Sequence, residues 1–358
     1  MIDWDLAVRT ATRLVRPGPA VTAEQARAVV ADLRRHATTA RHHVAEVTGL
    51  DASGPDGAVA IIDRPGWIQA NAAAFRTVLD PVVDKLRAHR GGHLGGPLVS
   101  AVGPRVTAVE TGWLLAFLAG KVLGQYELFP AAGDVPARPG RLLLVAPNIV
   151  AAEREMGVDP DDFRLWVCVH EETHRTQFGA VPWLREHVMS EVRAFLDETD
   201  LDPATLVRRL RAAVEAVGDA VRAGPGSEGT SLVEALQTPA QRAVLDRLTA
   251  VMSLLEGHAD HVMDAVGPGV IPSVAEIRAR FQRRRQGTGR LDQMVRRLLG
   301  LEAKMRQYRD GARFVGGVVD EVGMAGFNQV WESPATLPTP AEISDPPAWI
   351  ARVHARRG

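Results

Sequence analysis

Apolar side chains recur with a helical period over most of the chain. Residues 3–16 and 22–49 repeat them every three to four positions, and the second stretch opens on Thr22 to Gln25, which has the form of a capping box. The same periodicity predicts helices over about Trp67–His89, Val106–Gly124, Pro182–Glu198, Pro203–Ala223, Pro239–Val266 and Leu291–Met324. Two stretches break the period. Ala58–Ile62 and Leu142–Val150 are short, apolar and rich in branched residues, which predicts buried strands. Turn formers crowd the segment from Glu127 to Arg141, the glycines between Gly91 and Gly96 read as a connector, and the basic run Phe281–Arg290 reads as a solvated loop. The expected fold class is mainly α with a small β component, α+β.

One predicted helix carries chemistry. Between Asp161 and Phe178, Leu165 to Val169 lead without Gly or Pro into His170, Glu171 and His174. Asp159, Pro160, Asp161 and Asp162 before them supply an N-cap and acids for the first turn. Two imidazoles four residues apart share one helix face, and in the H-E-x-x-H pattern that face binds zinc. With 11 His in 358 residues, composition alone yields the pattern about 0.02 times per chain.

Composition narrows the alternatives. A formal net charge of −1 offers no electrostatic basis for binding nucleic acid or an anionic membrane. Cys168, the single cysteine, excludes an internal disulfide and fits a reducing compartment; two residues before His170 it lies on another helix face. The first residues, Met1 to Thr10, include acids and no apolar h-region, and the longest apolar run, Trp113–Gly120, is too short for a bilayer. The expectation is a cytoplasmic protein with no nucleic-acid or membrane partner.

Catalytic zinc takes three protein ligands and keeps a fourth position open, so two histidines leave one ligand to find. The helix Pro239–Val266 offers Glu256, His258, Asp260 and His261. Glu256 and Asp260 are four apart and share a face, so one could ligate while the other accepts the second N–H of a zinc-bound histidine. His170-Glu171-x-x-His174 followed by Glu256-x-x-x-Asp260 resembles the gluzincins, the thermolysin-like metallopeptidases. That resemblance implies His170, His174 and Glu256 as zinc ligands, Glu171 as the base, and Asp260 as the orienter of a ligand histidine. The separation of 82 residues (256 − 174) exceeds that of thermolysin, so the helices between are an insertion or the fold differs. Residues 166–178, 181–187, 254–268 and 323–334 further resemble a family of bacterial zincin-like proteins that includes a branch associated with biosynthesis of the deazaflavin coenzyme. The resemblance implies a mostly helical, zincin-like metallopeptidase core over residues 101–335, with an N-terminal helical region over 1–100 and a tail over 336–358 packed on the core.

With zinc in place, the expected chemistry is hydrolysis of a peptide or small amide, with Glu171 as general base. Glu172, one position round, reads as a solvated carboxylate. Tyr308 and His261 are the favoured oxyanion donors among a set that also includes His258 and Arg306. Leu142–Val150 stands either as a core strand or as an edge strand that pairs with extended substrate. Two other classes remain open: a metal-stabilised accessory protein in coenzyme metabolism, and a helical scaffold whose histidines are merely buried.

Overall fold

A computed structural model describes residues 2–50, 58–89, 97–128, 140–198, 238–285 and 301–355, with the backbone alone at 81–89, 97–106, 285 and 301–309. In chain order these form α1 (Trp4–Leu14), α2 (Ala23–Thr48), β1 (Val59–Ile62), α3 (Arg64–His89), α4 (Pro97–Ala119), β2 (Gly124–Tyr126), β3 (Leu142–Val145), α5 (Ala146–Met156), α6 (Pro160–Ala180), α7 (Pro182–Asp197), α8 (Pro239–Val266), α9 (Val274–Arg285), α10 (Leu301–Phe327), three short 3-10 turns and α11 (Pro346–His354). The architecture is mainly α with one small sheet, as its periodicity predicts.

Local chemistry sets most boundaries. The capping box of α2 is present, Thr22 accepting from Gln25 N while Gln25 accepts from Thr22 N, and Gly49 closes the helix in the left-handed region. Helix α8 opens on a second such box, Thr238 with Gln241, and stops at left-handed Gly267. Four expectations are corrected. Helix α3 begins at Arg64, because the Asp63 carboxylate caps Gly66 N at 2.8 Å and Pro65 suits a first turn. The predicted helix 106–124 runs from Pro97 and ends at Ala119, and Gly124 instead opens strand β2. The strand predicted over 142–150 lasts four residues, since Pro147 sits in the first turn of α5. The basic run read as a loop is helical through Arg285. The connector at 91–96, the helix expected over 203–223 and the first residues of the one expected from Leu291 lie outside the described residues.

The described chain divides into two compact units, residues 1–180 with 262–281, and residues 181–261 with 282–358. In the first, the sheet has the order β1-β3-β2, with β1 parallel and β2 antiparallel to β3. Central β3 is buried along its length. Leu144 joins a core with α2, α5 and α6, while Val145 joins another with α1, α3 and α4, as opposite faces of a strand must. Buried Arg64 donates to Asn148 Oδ1 at 2.6 Å, and Asn148 Nδ2 donates to the carbonyls of Ala119 and Val122 at 2.8 and 2.6 Å. That network anchors the chain just before β2; burial also lowers the pKa of the Arg64 guanidinium.

The second unit packs α7, most of α8, α10 and α11 with the 3-10 turns. Helices α8 and α10 cross at Gly257 and Gly311, where a Cβ on Gly257 would overlap the Gly311 carbonyl and one on Gly311 would overlap that of Ser253. Only glycine allows so close an approach of two backbones. Beside the crossing, buried His258 packs between Phe327 and Trp331, with ring centroids at 5.2 and 5.5 Å. Among the described residues no helix is long and apolar enough to cross a membrane.

The crossing yields a paired prediction. Gly257→Ala should destabilise the protein by about 1–3 kcal/mol, the range for overpacking. Gly316→Ala, in α10 with open space at its Cβ, should be neutral or stabilise by up to about 1 kcal/mol through helix propensity. Denaturant unfolding of both variants measures the difference.

Candidate metal centre

Helix α6 starts on firm capping. The Asp159 carboxylate accepts from Asp161 N and Asp162 N at 3.0 Å each, Pro160 occupies the first turn, and Asp162 in turn accepts from the backbone and hydroxyl of Ser273 at 2.8 and 2.6 Å. The helix is then buried on most sides. Phe163 and Leu165 to Val169 enter a core with Val29, Leu33, Ala37, Ala40 and Val44 of α2. Cys168 is buried there with its sulfur 3.9 Å from the Leu33 carbonyl; burial pushes its thiol pKa up, and the Glu171 and Glu172 charges add to the shift. A thiol held protonated is a poor ligand, in keeping with its expected place off the metal face.

His170 and His174 form a half-buried stripe on a helix whose residues 165–169, 171–173 and 176–178 are buried. Their rings stand nearly perpendicular at 87° with centroids 4.7 Å apart, and their Nε2 atoms approach to 3.3 Å. Two nitrogens each about 2.0–2.1 Å from one tetrahedral ion lie about 3.3–3.4 Å from each other. The imidazoles are thus spaced as such an ion requires. Half-buried Glu256 supplies the third donor: it, His170 and His174 each offer a ligand atom, all within 4.8 Å of one another. Helix α8 carries Glu256, and the next residues of the same helix, Val262, Met263 and Val266, are buried in the core that holds α6. Asp260 and His261 follow Glu256 on that helix, both half-buried. His258 is enclosed by aromatic rings. Tyr308 and Arg306 fall in α10, where the side chains lie outside the described residues.

Glu171 is 6% exposed and lies against strand β2. A Cβ on Gly124 would meet Glu171 Cδ at 2.5 Å and Oε1 at 2.8 Å, so the absence of a side chain there makes room for the carboxylate. The strand is fixed from both sides. Gln125 accepts from Trp67 Nε1 at 2.9 Å and donates to Asn71 at 3.1 Å, while Tyr126 stacks on Phe178 of α6 with centroids 5.6 Å apart. Among the described residues β2 pairs only with β3, which makes β2 an edge strand, while β3, paired on both sides, takes the core-strand alternative of the two expected for Leu142–Val150. The ladder bonds Leu123 O to Val145 N and Glu127 N to Arg141 O. Its alternation directs the N–H and C=O of Gly124 to the outer side.

Glu172 is also corrected. It is fully buried rather than solvated, and Arg175 one turn on binds both its oxygens through Nε at 2.9 and 3.0 Å. A buried carboxylate persists when so paired. Sequence reasoning also missed Gln177, whose Oε1 meets His174 Nδ1 at 3.0 Å; its signal was a polar residue on the motif face three positions past the second histidine.

A model of the zincin-like metallopeptidase family matches residues 2–350. The chain belongs to that family. The protein is similar to a crystal structure from Chloroflexus aurantiacus described as a candidate hydrolase with a novel fold, at 31% identity over 100% of both chains and a TM-score of 0.70. No curated protein matches the chain. A zincin-like metallopeptidase implies a bound metal, usually zinc, and the two-histidine, one-glutamate donor set suits zinc with an open position. That identity makes the placement of Glu171 testable. Gly124→Ala should swing the Glu171 carboxylate off β2, because a flexible side-chain end yields before backbone does, with the His170–His174 pair unmoved. A crystal structure of the variant measures both.

Proposed function

We propose that this zincin-like metallopeptidase is a zinc-dependent peptidase or amidase, with His170, His174 and Glu256 as metal ligands and Glu171 as general base. The observation that carries the reading is the convergence of those three donors within 4.8 Å beside a carboxylate held against an edge strand. When bound, zinc supplies Lewis acidity that makes water nucleophilic near neutral pH and polarises an amide carbonyl.

The residues divide the remaining work. Glu171 accepts the proton of the attacking water at a carboxylate oxygen and returns it to the departing nitrogen, so no covalent intermediate forms. Its burial keeps bulk water from competing for that proton. The outward N–H and C=O of Gly124 offer main-chain pairing to an extended substrate next to the base. Asp260 shares the Glu256 face as a candidate orienter of a ligand histidine, and His261 and Tyr308 are candidate donors to the developing oxyanion. A site closed by a fourth protein donor would favour an accessory role linked to deazaflavin coenzyme metabolism; the donor group among the described residues has three members.

Glu171→Gln separates binding from chemistry. Zinc content, measured by mass spectrometry of the purified protein, should match wild type, while hydrolysis of a fluorogenic peptide panel falls about a hundredfold to ten-thousandfold, the usual contribution of a positioned base. Undiminished turnover in that variant would remove Glu171 as the base.

A further inference from the structure

We propose that Gln177 is a positioning residue that holds His174 in the Nδ1–H tautomer, with the Nε2 lone pair turned towards His170 and Glu256. The inference rests on the reading of those three residues as a metal site. An imidazole can ligate through Nε2 only when that nitrogen is unprotonated, and the hydrogen bond at the other ring nitrogen decides the matter. In the structure that bond is made by the Gln177 amide oxygen, 3.0 Å from His174 Nδ1. An amide oxygen can only accept, so Nδ1 must donate and carry the ring proton. The opposite amide orientation would place an N–H at Nδ1, leave the ring proton on Nε2, and block ligation.

The contact is built to persist. Gln177 is fully buried, and a buried amide is costly unless its groups are bonded, which opposes rotation of the side chain away from the ring. It sits three residues after His174 on one turn of α6, so no motion of a distant segment can separate the two. Packing of Phe178 against Tyr126 and of Cys168 against α2 fixes the helix that carries both. A neutral partner also differs from the carboxylate often found on metal-bound histidines: it orients the ring without adding a negative charge, so the Glu256 carboxylate remains the one anion in the donor set itself.

The test uses the full-length protein stripped of metal. Long-range proton–nitrogen NMR of wild type should find His174 protonated at Nδ1; protonation at Nε2 would overturn the proposal without any variant. Gln177→Leu, close in volume, should lose that preference and weaken zinc about 10–100-fold in a competitive chelator titration, the usual effect of removing such a partner. Gln177→Glu keeps an accepting oxygen and should retain the tautomer and bind zinc at least as tightly as wild type. Wild-type affinity and tautomer in Gln177→Leu, or weaker binding in Gln177→Glu, would overturn the role of Gln177. Failure of wild type to take up any zinc would instead sink the metal reading beneath it.

Discussion

Two imidazole nitrogens that face each other at 3.3 Å are a constraint before they are a site. With lone pairs on both they repel, and a shared proton or a cation is what makes the arrangement favourable. The structure holds them there because α6 has almost no freedom to turn. Its capped N-terminus, its long buried contact with α2 and the stacking of Phe178 on β2 fix the helix on three sides. The half-buried histidine stripe stays partly accessible on that helix. Glu171 and Gln177 take their places from the same fixed helix.

Around it the chain uses missing side chains as much as present ones. Gly124 leaves space for the Glu171 carboxylate, and Gly257 with Gly311 lets α8 lie close to α10 one residue after Glu256. In both places a methyl group would collide, in the first with the flexible end of a side chain and in the second with backbone. The two places therefore differ in kind: the first tunes the placement of a functional group, the second sets how closely two helices can pack.

What was legible in the sequence were features written in adjacent residues. The motif helix, the limits of α8 and the face shared by Glu256 and Asp260 follow from capping residues, terminal Gly and Pro, and helical periodicity. Features that depend on contacts distant along the chain were not legible. Strand β2 is three residues long, too short to display an alternation, and starts on a glycine that reads as a helix end. Which strand lies at an edge next to α6 depends on pairing order, a tertiary property; nothing in Gly124–Tyr126 announces that it pairs on one side alone. Glu172 reads as solvated because nothing in the adjacent residues shows that Arg175 pairs with it, and the contact of Gln177 with His174 depends on ring and amide orientations that spacing alone does not give.

Whether these donors hold one divalent ion with a position left over can be seen by anomalous diffraction from crystals grown with zinc, recorded above and below the zinc absorption edge. A single strong peak is expected about 2.0–2.1 Å from His170 Nε2 and His174 Nε2 and a similar distance from a Glu256 oxygen, with a solvent molecule completing the shell. A peak elsewhere, or a fourth protein ligand in place of the solvent, would contradict it.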